Sequence, residues 1–105
     1  MSEYVIIIWT AANIEEARNI SRKLVEERHV ACASLIPTVE SIYEWEGRIE
    51  TSQESKVLFK TRREKFAAVE QVIRENCSYD VPEITAISLE TGHQPYFDWI
   101  DAVTG

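Results

Sequence analysis

Residues 31–63, ACASLIPTVESIYEWEGRIETSQESKVLFKTRR, restrict the fold more than any other part of the chain. They read as two long strands joined by a tight turn at Glu46-Gly47, where glycine supplies a positive φ at little steric cost. Strand alternation puts Ser41, Tyr43 and Trp45 on one face of the incoming strand and Ile42, Glu44 and Glu46 on the other. On the outgoing strand Val57, Phe59 and Thr61 alternate with Lys56, Leu58 and Lys60. Pro37 has no ladder donor, so a bulge or an edge position is expected there.

The length of this hairpin is informative. Extended, residues 32–45 span roughly 43 Å at about 3.3 Å per residue. A compact domain of this size has a radius of gyration of about 13 Å and so a diameter of roughly 33 Å. The hairpin therefore overshoots its own domain. Its far end carries Ile42, Tyr43, Trp45 and Ile49, too apolar to project into water. A second copy of the chain is expected to cover it.

With 105 residues the chain makes a single domain over residues 1–105, large enough for a core and small enough to profit from assembly. Apolar residues at 45% exclude disorder, and a net charge of −7 repels a nucleic-acid backbone, so no nucleic-acid partner is expected. Cys32 and Cys77 are too few for a disulfide framework. Residues 5–9 form an apolar run far too short to cross a bilayer, and no signal-peptide pattern opens the chain. The expectation is a cytoplasmic protein without a membrane partner.

Residues 4–10 are a continuous β-branched and aromatic run, expected as a central strand buried on both faces. Asn13, with Glu16 three residues on, opens a helix whose inner face is Ala17, Ile20, Ser21, Leu24 and Val25 and which ends near Arg28-His29. Thr61 and Glu64 have the spacing of a second capping box. Phe66, Val69, Val72 and Ile73 follow at helical spacing, with Asn76 as the end. Pro82 keeps residues 77–82 in a loop, residues 84–89 form a short strand, and Thr91-Gly92 turns the chain. Pro95 suits the start of a last helix packed through Tyr96, Trp99, Ile100 and Val103. This order predicts an α+β, ferredoxin-like βαββαβ fold with a long β-hairpin and a C-terminal helix, helices on one face of an antiparallel sheet.

Five stretches, Ala31-Cys-Ala-Ser-Leu-Ile-Pro37, Tyr43-Glu-Trp-Glu-Gly47, Leu58-Phe-Lys-Thr61, Tyr79-Asp-Val-Pro-Glu-Ile84 and Tyr96-Phe-Asp-Trp99, closely resemble the CutA family, the divalent-cation tolerance proteins. The resemblance runs from about residue 4 to residue 102. It implies a homotrimer of ferredoxin-like subunits, similar in architecture to the PII signalling proteins, with hairpins pairing across subunits. It also implies a role in tolerance of copper and other divalent metals. Some members of the family have copper ligands assigned at a cysteine in the first strand and at two adjacent histidines before the Tyr-x-x-Pro-Glu loop. Trp9 and Asn76-Cys77 stand at those positions in this chain. Only Cys77 is a soft donor, so the metal ligands, if a divalent cation such as copper binds, are not identified.

The family motifs gather one candidate cleft for a small-molecule ligand. Trp45 supplies an aromatic wall, Lys60 a cation, Tyr79 a hydroxyl and Glu83 a carboxylate. The alternative is structural: Lys60 and Glu83 pair to seal a subunit interface, with Trp45 and Tyr79 packed around them. Cys32 lies three residues after His29, a spacing open to nucleophilic or ligand chemistry, but a cysteine among small apolar residues is expected as a buried hydrophobe. Glu40, Glu44, Glu46, Glu50 and Glu54 along the hairpin are expected to keep exposed strands soluble. No Gly-rich phosphate loop, metal-ligand cluster or triad-like set is present, and no catalytic residue is assigned. The leading expectation is a non-catalytic, trimeric, PII-like binding or stress-response protein in metal homeostasis. The alternatives are a scaffolding trimer and an enzyme acting through Cys32 or Glu83 at a subunit cleft.

Overall fold

A computed structural model describes residues 3–105. The first strand, β1 (Tyr4–Ala11), is followed by helix α1 (Ile14–Glu26) and the two arms of the hairpin, β2 (Cys32–Trp45) and β3 (Arg48–Arg62). A 3₁₀ turn (Arg63–Lys65) leads into α2 (Phe66–Asn76), then β4 (Ile84–Ser88) and α3 (Gln94–Thr104). The strands form one sheet in the order β2-β3-β1-β4, with antiparallel neighbours throughout. This is the α+β ferredoxin-like arrangement expected from the element order.

Helices α1 and α2 cover one face of the sheet. Val5, Ile7 and Trp9 of β1 and Val57 and Phe59 of β3 pack there against Ala17, Ile20 and Leu24 of α1 and Val69 and Ile73 of α2. Trp9 is fully buried, and its ring stacks on Phe59 with centroids 6.2 Å apart. The alternate residues of β1 depart from expectation: Ile6 and Ile8 are only half-buried, so the strand is not covered on both faces within the subunit. The register sets Ile6 opposite Lys60 and Ile87, and Ile8 opposite Leu58 and Thr85, which leaves a mixed apolar and basic face without a helix over most of its area.

The C-terminal helix closes one end of that open face. Tyr4 stacks on Phe97 at 4.3 Å and donates to Asp101 at 2.7 Å, while Arg62 donates to the Thr104 hydroxyl and carbonyl at 3.0 and 2.7 Å. The buried face of α3 is Phe97, Ile100 and Thr104; Tyr96 and Trp99, expected to pack inward, remain 38% and 42% exposed. Apolar residues span too wide an arc of this helix for periodicity alone to select the side that docks. Gly92 is required by the same packing, because a Cβ there would lie 2.5 Å from the Phe97 ring.

Helix α1 begins as expected, with the Asn13 side chain accepting from the Glu16 amide at 2.8 Å. It ends with Arg28 at φ 64, a left-handed position more often held by glycine. The second expected capping box does not form. Strand β3 continues through Thr61, whose hydroxyl donates to the His29 carbonyl at 2.7 Å, and Glu64 pairs with Arg62. Sheet pairing thus takes the residues that local spacing assigned to a helix cap.

The hairpin stretches the molecule to 45 × 26 × 22 Å. At its tip both Glu46 (φ 50) and Gly47 (φ 79) have positive φ, the requirement of a type I′ turn. Pro37 and Thr38 together oppose Ser55, making the expected bulge, and the Ser55 hydroxyl donates to the Pro37 carbonyl at 2.6 Å. The extra residue exchanges the faces of β2. Ile36 lies opposite Lys56, yet Tyr43 and Trp45 lie opposite Glu50 and Arg48, which share the Lys56 side of β3. The aromatic residues of the tip therefore extend the open face. Ile42, Trp45 and Ile49 are 68%, 61% and 73% exposed.

Candidate functional site

The open face is polar where β1, β3 and the segment before β4 converge. Thr10 ends the row of β1 side chains on this face and lies opposite Lys56. The loop after α2 then delivers Glu83. Its carboxylate accepts from the Thr10 hydroxyl at 2.7 Å, from the Lys56 ammonium at 3.3 Å and from the Thr85 hydroxyl at 3.4 Å. The Thr10 hydrogen bond first, and Lys56 after it, hold the Glu83 carboxyl below the usual carboxylate range against the effect of partial burial.

Glu54, two residues from Lys56 on the same strand face, accepts from the Tyr79 phenol at 2.7 Å. Partial burial and then this hydrogen bond push the Tyr79 pKa up to about 12, so the phenol stays a neutral donor at physiological pH. The loop is pinned at its start as well. The Ser78 amide and hydroxyl both donate to Glu16 on α1, and the Cys77 thiol donates to the Tyr79 carbonyl at 3.4 Å. Residues 77–83 thus form a strap from α1 to the root of the hairpin.

Of the four residues expected in one cleft, the subunit brings Tyr79 and Glu83 together through Glu54 and Lys56. Lys60 lies four residues along β3, opposite Cys32 and Ile6, and donates to Ser34 and to Cys32 Sγ at 3.8 Å. Trp45 stands apart at the hairpin tip, opposite Arg48. Within the subunit the cation on Glu83 is Lys56 and not Lys60. The sequence reading took Glu54 for a solubilising charge and gave Thr10 and Lys56 no site role, because only the register of β1 and β3 shows that they share a corner of the sheet.

The residues weighed for metal or nucleophilic chemistry are dispersed. Trp9 is sealed in the core, the Asn76 amide donates to the Val72 carbonyl at 2.7 Å, and burial pushes the Cys77 thiol pKa up, away from the thiolate a soft metal needs. His29 Nε2 lies 3.6 Å from Glu27, while Cys32 faces Lys60 and Ser34, so the two do not form a nucleophile–base pair. Among the described residues no three His, Cys, Asp or Glu side chains converge as a metal-holding group. The hairpin carboxylates do not face one another across the ladder: Glu40 opposes Gln53, Glu44 opposes Ile49, Glu50 opposes Tyr43 and Glu54 opposes Val39.

Comparison with known proteins agrees with the motifs. The family profile described as CutA1 divalent ion tolerance protein matches residues 5–103. The divalent-cation tolerance protein CutA of Archaeoglobus fulgidus is 41% identical over 92 residues, covering 88% of this chain and 89% of its own length. That of Thermus thermophilus is 38% identical over 105 residues, the whole of both chains. The chain spans about half the length of the mouse and Arabidopsis thaliana CutA proteins that it also matches, 54% and 53%. A solved structure of the Archaeoglobus fulgidus protein, described there as periplasmic, superposes with a TM-score of 0.95 at 37% identity, covering 97% of this chain and 99% of that one. Sequence, strand order and superposition agree that this chain belongs to the CutA1 divalent ion tolerance family.

Proposed function

We propose that the chain acts as a non-catalytic, PII-like homotrimer in divalent-metal tolerance, with copper as the first metal to test. The observation that carries this reading is the hairpin: an arm projecting along a 45 Å axis whose end exposes Ile42, Trp45 and Ile49 to water. Apolar side chains at such a tip are stabilised by covering them, at roughly 25 cal/mol per Å² removed from water. The open sheet face, with half-buried Ile6, Ile8 and Leu58, offers a surface of matching character. In the assembled protein the tip of one copy would bring Trp45 against the Lys60, Tyr79 and Glu83 face of another and complete a cleft for a metal ion or small molecule. Membership of the tolerance family supports the metal role.

The proposed compartment is the cytoplasm. Among the described residues no helix is long and apolar enough to cross a membrane. Calorimetry of the purified protein with Cu²⁺ and with reduced Cu⁺ tests the metal reading. Scattered donors predict weak, carboxylate-type binding that a chelator reverses and that Cys77→Ser leaves unchanged. A stoichiometric submicromolar site that vanishes in Cys77→Ser or Cys32→Ser would contradict it.

A further inference from the structure

Arg48 stands at the hairpin tip on this side of β3, and three further cations follow it over the sheet: Lys56, Lys60 and Arg62. The outer two of these three are matched, Lys56 by Glu83 at 3.3 Å and Arg62 by Glu64. Lys60, between them, has no carboxylate within ion-pair distance among the described residues. It is nevertheless half-buried, flanked by Leu58 and set opposite Ile6. A partly desolvated ammonium is costly unless a negative charge compensates it.

The groups that meet the ammonium are a hydroxyl and a thiol: Ser34 accepts from it, and Cys32 Sγ lies 3.8 Å from the same nitrogen and 4.0 Å from the Ser34 hydroxyl. An ammonium with an N–H bond left over and a hydroxyl beside an apolar wall suit an acceptor-only group carrying negative charge.

We propose that Lys60 and Ser34 form a subsite for a small oxyanion, a carboxylate or a phosphate, on the open sheet face. This gives a ligand class to the proposed cleft, and it rests on that reading in one respect: a second copy over this face would exclude water and tighten the site. Lys56 is excluded from the subsite because Glu83 already neutralises it.

Full-length protein is titrated with sodium phosphate and, separately, sodium citrate at ionic strength matched with sodium chloride. The midpoint of thermal unfolding and the molar mass by light scattering are read on the same samples. A saturable rise in the midpoint is expected for the wild type with at least one of the two anions, since a ligand that binds only the folded state stabilises it. Lys60→Met should abolish the rise while keeping the wild-type circular dichroism, Ser34→Ala should weaken binding about tenfold, and Lys56→Met should retain it. A wild type that responds to neither anion beyond the chloride control overturns the proposal, and so does an equal response in Lys60→Met. If Lys60→Met lowers the molar mass and the wild type shows no anion response, a carboxylate of a second copy is the counter-charge and the oxyanion subsite is refuted. A monomeric wild type that still binds phosphate or citrate through Lys60 would sustain the subsite and overturn only the assembly.

Discussion

Tyr79 donates its phenolic hydrogen to Glu54 across 2.7 Å, and this one bond ties the loop after α2 to the root of the hairpin. A carboxylate acceptor makes it stronger than a neutral pair would be, and its partly exposed setting limits the contribution to about 1 kcal/mol.

The bond has a pH signature. A phenol raised from 10.0 to about 12 contributes stability that is fully present below pH 10 and is lost as pH rises through 12. Between those values the unfolded chain has released the proton and the folded one retains it. Tyr79→Phe is expected to lower stability by about 0.5–1 kcal/mol at pH 7. It should also remove one late-titrating phenol from the ultraviolet absorbance titration. Loss of a phenol that titrates near 10.0 instead would mean that Tyr79 ionises freely.

Glu83 gives the opposite signature. Its carboxyl is held below the 4.5 of a free side chain, so its contribution is present above that value and lost as pH falls through the folded-state pKa. Because Thr10 and Lys56 both hold the carboxyl down, Thr10→Val and Lys56→Met should each raise the Glu83 pKa. Carboxyl carbon chemical shifts across pH 2–7 (about the range in which such groups titrate) test this, and a Glu83 pKa unmoved by either change would contradict it. With the Glu83 side chain 42% exposed, Glu83→Gln is expected to cost only about 0.5 kcal/mol at pH 7.

The hairpin turn is improvable at one position and intolerant at the next. Gly47 has φ 79 with nothing within 4 Å of a would-be Cβ, so Gly47→Ala meets no clash and is penalised only by its backbone, about 1 kcal/mol. Glu46 sits at φ 50, where Asn is better suited. Glu46→Asn should raise the thermal midpoint by a few degrees and Gly47→Ala should lower it. The reverse order would show that the turn is not of the I′ kind.

How much of this was legible in the sequence follows from where each interaction resides. Strand alternation and the glycine turn are local, so the hairpin, its overshoot and the bulge at Pro37 could be read directly. The exchange of faces that puts Tyr43 and Trp45 on the open side depends on how many residues the bulge adds, which no local pattern states. Thr61 and Glu64 show local spacing overruled by the sheet, since Thr61 is needed at the His29 carbonyl. In the candidate site, Glu83 and Tyr79 were visible because they sit in a motif. Lys60 stood out through its motif, but Lys56 lies on the same strand face and alternation alone does not tell which of the two meets Glu83. Only the pairing of Lys56 with Thr10 and of Lys60 with Ile6 separates a neutralised cation from an uncompensated one.

Assembly is the central claim, and light scattering coupled to size exclusion tests it most directly. The wild type should elute at about three times the 12.1 kDa chain mass. Trp45→Asp, which would place a charge in the proposed subunit contact, should shift the protein toward the single-chain mass. A wild type that runs as a monomer at micromolar concentration would contradict the account, because the exposed Trp45, Ile42 and Ile49 of the hairpin would then have no partner to cover them.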